Sequence, residues 1–266
     1  MVDALAGFDE TTFTHEGTTR SVYAGGQGPA IIVIHEMPGL IPEVAAFARR
    51  VVAAGFSVRM PSLFGTPGRA MSGGYALTEV VRGCVAREFT TFALDRTSPI
   101  TGWLCALARA AHEECGGPGV GAVGMCFTGG FALGMMVDDT MLAPVLSQPS
   151  LPFGVFPARR RAVGISDADL ARVKQRAQAG ACVIGLRFTG DPMVPAARFE
   201  TLRRELGDAF IGIEIDSSKG NQHGIPRAAH SVLTQHFVDE PGHPTREALD
   251  RVLAFFAERL APAANP

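Results

Sequence analysis

Apolar positions along the chain fall into two kinds of run that alternate. Short unbroken stretches such as Ala30-Ile31-Ile32-Val33-Ile34 and Val120-Gly121-Ala122-Val123 have the pattern of strands buried on both faces. Longer stretches between them repeat apolar residues at helical spacing. The pattern predicts strands over 30–34, 56–60, 120–123, 141–146, 182–188 and 209–215. It predicts helices over 42–54, 77–89, 100–115, 131–137, 167–179, 196–206 and 245–260. Glycine and proline supply the punctuation: Pro42 suits a first helical turn, and Gly55, Gly116-Gly117-Pro118-Gly119 and Gly180 close helices. Pro144 counts against a central strand over 141–146. Residues 11–15 and 21–24 flank polar, glycine-bearing positions and predict an antiparallel hairpin at one sheet edge.

Strand and helix alternate through most of the chain, which predicts an α/β fold with a mostly parallel central sheet and helices on both faces. Residues 1–266 are expected to form one domain. Between residues 61 and 99 the pattern loosens into glycine and proline with short helical pieces, an insertion of the kind that caps a site. Residues 149–162 read as a loop.

With 266 residues, 47% of them hydrophobic, the chain can bury one large core. Lys and Arg number 24 against 26 Asp and Glu, a net charge of −2 that leaves no basic excess for a nucleic-acid partner. The run Arg159-Arg160-Arg161 reads as a solvated face. No apolar run approaches the roughly 20 residues that span a bilayer. The start, Met1-Val2-Asp3-Ala4-Leu5, lacks the basic-then-apolar order of a secretory leader. A cytoplasmic protein without a membrane partner is the expectation. The five cysteines, at 84, 105, 115, 126 and 182, form no C-x-x-C pair, which fits neither a disulfide framework nor a zinc site. No ligand spacing or phosphate-cradling loop follows the first strand, so neither a metal nor an organic cofactor is implied.

One cysteine stands apart. In Gly124-Met125-Cys126-Phe127-Thr128-Gly129-Gly130 a predicted strand meets a predicted helix through a turn of small residues, with Cys126 at its tip. Glycines there let the backbone double back and lift one side chain above the sheet, the nucleophile-elbow pattern with cysteine in place of serine. In open parallel sheets reacting groups gather at the carboxyl ends of strands. Asp191 follows the strand at 182–188, His223 lies in the loop after the strand at 209–215, and Glu36 and Met37 follow the strand at 30–34. Nucleophile, acid and histidine thus occur in the chain order of the α/β-hydrolases.

The stretch GMCFTGG resembles the elbow of the dienelactone hydrolase family, α/β-hydrolases that carry a Cys, Asp, His triad. The resemblance spans roughly residues 28–262 through scattered motifs. It implies an α/β-hydrolase fold with Cys126, Asp191 and a histidine as triad. His35, His223 and His230 compete for the last place. The family pattern, a small residue, an apolar one, and an arginine four positions beyond the histidine, is met by His223-Gly224-Ile225-Pro226-Arg227 and favours His223. By the same resemblance Glu36 sits beside the resting thiol and helps hold it inactive, and the backbone N–H groups of Met37 and Phe127 form the oxyanion hole. Arg227 and, less directly, Arg87 are candidates to grip a substrate carboxylate, with Arg82 close to Arg87 in claim. The chain departs from the family at Thr128, where glycine is usual and a β-branched residue threatens to crowd the helix against its strand.

The reading is a cysteine-dependent hydrolase of small esters or lactones, with or without a carboxylate on the substrate, acting through a thioester as a monomer or homodimer. Two rivals are a general carboxylesterase and a catalytically silent relative that binds a small carboxylic acid or a partner protein.

Overall fold

The computed structural model describes residues 4–75, 79 and 98–261. Among these, eight strands form one sheet in the order β1-β2-β4-β3-β5-β6-β7-β8. The strands are β1 (Asp9–His15), β2 (Thr18–Gly26), β3 (Ala30–Ile34), β4 (Ser57–Pro61), β5 (Val120–Met125), β6 (Met141–Ser147), β7 (Val183–Phe188) and β8 (Phe210–Ile215). The expected hairpin is β1 and β2, antiparallel to each other and to β4 at the sheet edge. All other neighbours are parallel, as unbroken apolar strands joined by helices require. The predicted helix over 77–89 and Cys84 lie outside the described residues.

Two apolar cores flank the sheet, and the strands feed them alternately. Ala30, Ile32 and Ile34 of β3 join one core, together with the helices Pro99–Cys115, Phe131–Met135 and Ala196–Leu206. Ile31 and Val33 join the other, packed by the helices Pro42–Ala53 and Pro244–Leu260. This two-residue alternation sets which side chains face each layer, and it explains why a central strand carries no polar residue at all. Pro144 is accommodated because β6 pairs with β7 only from Val145 onward, so the missing N–H falls before that ladder begins.

The connection after β6 is held by a cation from another element. Arg198, 1% exposed on the helix Ala196–Leu206, donates from its guanidinium to the carbonyls of Pro149, Pro152, Ala162 and Arg159. Carbonyls buried in a loop need donors, and one five-donor side chain satisfies several at once. The expected loop over 149–162 also ends in a short helix, Pro157–Arg161, which carries the three arginines. Replacing Arg198 with leucine leaves these carbonyls without their donor. Urea unfolding should show a loss of at least about 1–3 kcal/mol, the cost of stranding a buried polar group.

Candidate active site

The segments at the carboxyl ends of β3, β5, β6 and β7 meet through contacts of Thr128 with Ile34, Ser150 with Cys126, and Gln148 with Glu36 and Leu186, and the sharpest feature there is the end of β5. Cys126 has φ +54°, in the left-handed region that a non-glycine residue enters only under constraint. The constraint is close packing of the turn. A Cβ on Gly124 would stand 2.4 Å from the Thr128 carbonyl oxygen, and one on Gly129 would stand 2.6 Å from Cα of Pro149. Only glycine fits at either place.

Thr128 does not crowd the turn; it fastens it. Its Oγ1 accepts the Met125 N–H at 3.0 Å and lies 2.9, 3.0 and 2.9 Å from the carbonyl oxygens of Ile34, His35 and Met125. The hydroxyl thereby ties the elbow to the end of β3, a link that the glycine usual in the family cannot make. In the parallel register Ile34 pairs with Gly124, so Met37 and Phe127 each stand three residues past a paired position. Both are buried beside the turn.

Asp191 follows β7 and is 4% exposed. Its Oδ1 accepts the Met193 N–H at 2.9 Å, while Oδ2 lies 2.6 Å from Nδ1 of His230. The loops after β7 and β8 are cross-linked at this point. Ser217 Oγ accepts the Gly190 N–H at 2.9 Å, and a Cβ on Gly190 would meet the Arg227 carbonyl oxygen at 2.4 Å. Nε2 of His230 is buried with no partner in hydrogen-bond geometry, and the charge it answers is that of Cys126. Apo triads commonly hold this contact loosely and tighten it when substrate binds. Burial by itself would lower the His230 pKa, but the Cys126 thiolate and then Asp191 outweigh it and raise the value to about 10.

The structure brings His230, and not the expected His223, to Asp191. His223 is exposed. Asn221 folds its segment into a tight turn, accepting the N–H groups of His223 at 3.2 Å and Ile225 at 3.0 Å and donating to the Ile225 carbonyl at 2.7 Å. That turn points the ring of His223 to the ring of His243, 5.2 Å away, rather than to Asp191. A signal for His230 was present: it too is followed by a small and then an apolar residue, Ser231 and Val232, and its neighbours Ala229, Val232 and Leu233 are core residues. Around His223 only Ile225 is a core residue; Asn221, Gln222 and Gly224 are polar or glycine. Requiring an arginine four positions on pointed to His223, which the structure does not bring to Asp191.

Arg227 is exposed. Its side chain borders an exposed groove with Ser218, Lys219, Asn221 and Ile225. The residue four beyond His230 is Thr234, whose hydroxyl donates to Glu36. Arg82 and Arg87 lie outside the described residues. His35 is structural. Its Nε2 accepts the Leu63 N–H at 3.0 Å, which leaves Nδ1 to donate to the Glu36 carbonyl at 3.0 Å, and burial lowers its pKa to about 4.

Glu36 is 1% exposed. Its carboxylate accepts from Ser231 Oγ at 2.6 Å, from Thr234 Oγ1, and from Gln148 Nε2 at 3.4 Å, and it makes no hydrogen bond with the thiol. Burial raises its pKa, with Ser231, Thr234 and the charge on His230 opposing. Gln148 accepts the Val232 N–H at 3.3 Å, and Nδ1 of His236 accepts those of His230 at 3.4 Å and Ser231 at 3.2 Å. The histidine loop is pinned from three sides. Cys126 Sγ itself lies 3.7 Å from Ser150 Oγ, a neighbour that sequence reasoning missed.

Aromatic rings surround the elbow. Phe127 meets Phe64 at 6.4 Å and Phe153 at 6.0 Å between centroids. Among the described residues no three His, Cys, Asp or Glu side chains converge where a metal could bind, and no helix is long and apolar enough to cross a membrane.

A mostly parallel sheet with helices on both faces, and a strained strand-to-helix turn at the carboxyl end of β5, is the architecture of an α/β-hydrolase. The chain belongs to the dienelactone hydrolase family, whose model matches residues 18–260, and so to enzymes of the carboxylic-ester-hydrolase type. Comparison with curated proteins gives no match. Among solved structures, the fold is similar to that of a Klebsiella pneumoniae subsp. pneumoniae MGH 78578 protein provisionally assigned as a dienelactone hydrolase. The TM-score is 0.65 and the identity 18%, over 94% of this chain and 98% of that one. A dienelactone hydrolase from Anabaena variabilis ATCC 29413 gives a TM-score of 0.60 at 14% identity, over 96% of this chain and 99% of that one. A dienelactone hydrolase-like promiscuous phosphotriesterase from metagenomic libraries gives 0.59 at 16%, over 96% and 98%.

The raised pKa of His230 depends on the charge at position 126, so removing that charge should lower it. In Cys126→Ala, NMR titration of the His230 ring should show a midpoint well below the wild-type value near 10. A ring that still titrates near 10 without the sulfur would assign the shift to Asp191 alone. A folded pKa above the usual 6.5 adds stability below that pH and loses it as pH rises through about 10. The wild type should therefore lose more stability than Cys126→Ala between pH 7 and 10.

Proposed function

We propose that the protein is a cysteine-dependent hydrolase of small esters or lactones, with Cys126, His230 and Asp191 as its triad. The observation that supports it most is the buried Asp191 to His230 pair, 2.6 Å apart, with the free ring nitrogen left to the Cys126 sulfur. The reacting pair is the Cys126 thiolate and the His230 imidazolium. Sγ attacks the substrate carbonyl, and the Met37 and Phe127 N–H groups receive the developing oxyanion. As the C–O bond breaks, Nε2 of His230 gives its proton to the leaving oxygen, which departs as alcohol or enol, and a thioester remains. Neutral His230 then takes a proton from water, whose oxygen adds to the thioester. Collapse breaks the C–S bond, releases the carboxylic acid and restores thiolate and imidazolium. Asp191 holds Nδ1 protonated throughout, so that Nε2 faces the chemistry.

The general-carboxylesterase reading of the substrate is favoured over a carboxylated lactone by one observation. The position four past the histidine, where the family pattern has arginine, is Thr234, and its hydroxyl is committed to Glu36. The phenylalanines 64, 127 and 153 suit an uncharged, partly apolar group instead.

Hydrolysis of nitrophenyl acetate, a neutral enol lactone and a carboxylated enol lactone tests this. Cys126→Ala should abolish turnover and His230→Ala should lower kcat about 10²–10⁴-fold, the usual worth of a positioned acid–base group. His223→Ala and Arg227→Ala should stay within about twofold, the range of surface changes away from a site. Full activity in Cys126→Ala would rule the thiol mechanism out. A folded wild type inert on the whole panel would return the silent-binder reading, and a loss in Arg227→Ala confined to the carboxylated lactone would restore the arginine clamp.

A further inference from the structure

The thiol mechanism leaves one buried group beside the sulfur without an assigned part. Ser150 is 1% exposed, and among the described residues its hydroxyl has a single hydrogen-bond partner, Sγ of Cys126 at 3.7 Å. A buried hydroxyl with nothing to bond is costly, so a partner this exclusive defines its place. That place is fixed by the backbone: the Ser150 N–H donates to the Cys126 carbonyl at 3.0 Å, and the Gln148 N–H donates to that of Leu186 at 2.8 Å. Arg198 holds the carbonyls of Pro149 and Pro152 on either side, and Pro149 closes against Gly129 of the elbow. The serine is thus carried on a rigid strap bonded to the very residue it faces. Glu36, the carboxylate expected next to the thiol, is occupied by Ser231, Thr234 and Gln148.

The geometry points to Ser150 as a catalytic residue, its hydroxyl donating a hydrogen bond to the Cys126 thiolate. This rests on the thiol mechanism above and adds a second donor to the sulfur, opposite in origin to His230: one comes from the loop after β6, the other from the loop after β8. The bond serves twice per turnover, in the resting thiolate and again when the sulfur leaves the tetrahedral adduct of the thioester. Hydrogen bonds to an ion are about twice as strong as neutral ones, and a sulfur anion screened from water has few other donors. The titratable groups around the thiol are His230 and, beyond it, Asp191 and Glu36, with His35 held neutral under β3; none of them is altered by a change at Ser150.

The test is the pH dependence of Cys126 alkylation by iodoacetamide, followed by peptide mass spectrometry, in wild type, Ser150→Ala and Ser150→Thr. Ser150→Ala keeps the backbone bond and loses only the hydroxyl; its labelling midpoint should move up by about one pH unit, equivalent to a tenfold loss of thiolate below the midpoint. Hydrolysis at pH values below the wild-type midpoint should fall about tenfold with it, mainly in kcat, by the same conversion. Ser150→Thr retains the donor and should keep the wild-type midpoint, a rescue that a packing role would not give. Selective wild-type labelling with an unshifted midpoint in Ser150→Ala overturns the assignment and leaves the hydrolase reading standing. Unselective wild-type labelling together with hydrolysis that survives Cys126→Ala overturns the thiol mechanism itself, and the role of Ser150 with it.

Discussion

The site depends on a backbone conformation that the chain would not adopt by itself. A cysteine at φ +54° costs of order 1–3 kcal/mol and persists only where its surroundings over-determine it. Three features do so here. Gly124 and Gly129 let the turn close to distances that no side chain allows, and the strap bearing Pro149 and Ser150 packs against its outer side. Thr128 binds the turn to the carbonyls ending β3, so that the strand supplying Met37 and the elbow supplying Phe127 move as one. The proposed oxyanion hole, built from two different strands, needs such a link, because its donors act only if their spacing is set beforehand.

The second constraint is charge without water. Asp191, His230 and Glu36 are all buried, and each charge is met by a group whose own position is fixed elsewhere. Asp191 takes a backbone N–H and the imidazole; Glu36 takes two hydroxyls and an amide. Two of the three groups in the second set come from Ser231 and Thr234, on the loop that carries His230. Glu36 is thereby an anchor for the histidine loop as well as a negative charge within reach of the imidazolium. His236, whose pKa is lowered by burial and by the charge on His230, stays a neutral acceptor for two N–H groups of the same loop.

Much of this was legible in the sequence, for a reason that also marks where legibility ended. Strand boundaries follow from apolar runs, and the residues directly after a strand end inherit its position, so Cys126, Asp191, Glu36 and Met37 could all be placed from periodicity alone. His230 lies fifteen residues beyond the end of β8, past a turn that Asn221 organises through its side chain. No periodicity runs through that loop, and a spacing rule borrowed from relatives selected His223 in its place. Between those two, burial would have been the better guide, since Ala229, Val232 and Leu233 around His230 are core residues while His223 is exposed. Ser150 and Thr128 were illegible for a different reason. Both act through contacts between segments far apart in the chain, Thr128 with β3 and Ser150 with the elbow, and a single sequence carries no record of such pairs.

The same long-range contacts bear on substrate class. With arginine four positions past the histidine, a relative would have a cation near Glu36, free to choose between that carboxylate and one on the substrate. This chain puts a threonine there, too short to leave Glu36 and uncharged. Glu36 is bound to its own loop, and in the proposed mechanism it plays no part in releasing the thiol. A sulfur that is never held back by that carboxylate must be kept competent by groups that are always in place. The imidazolium of His230 is one of them, and the hydroxyl of Ser150 is positioned to be the other.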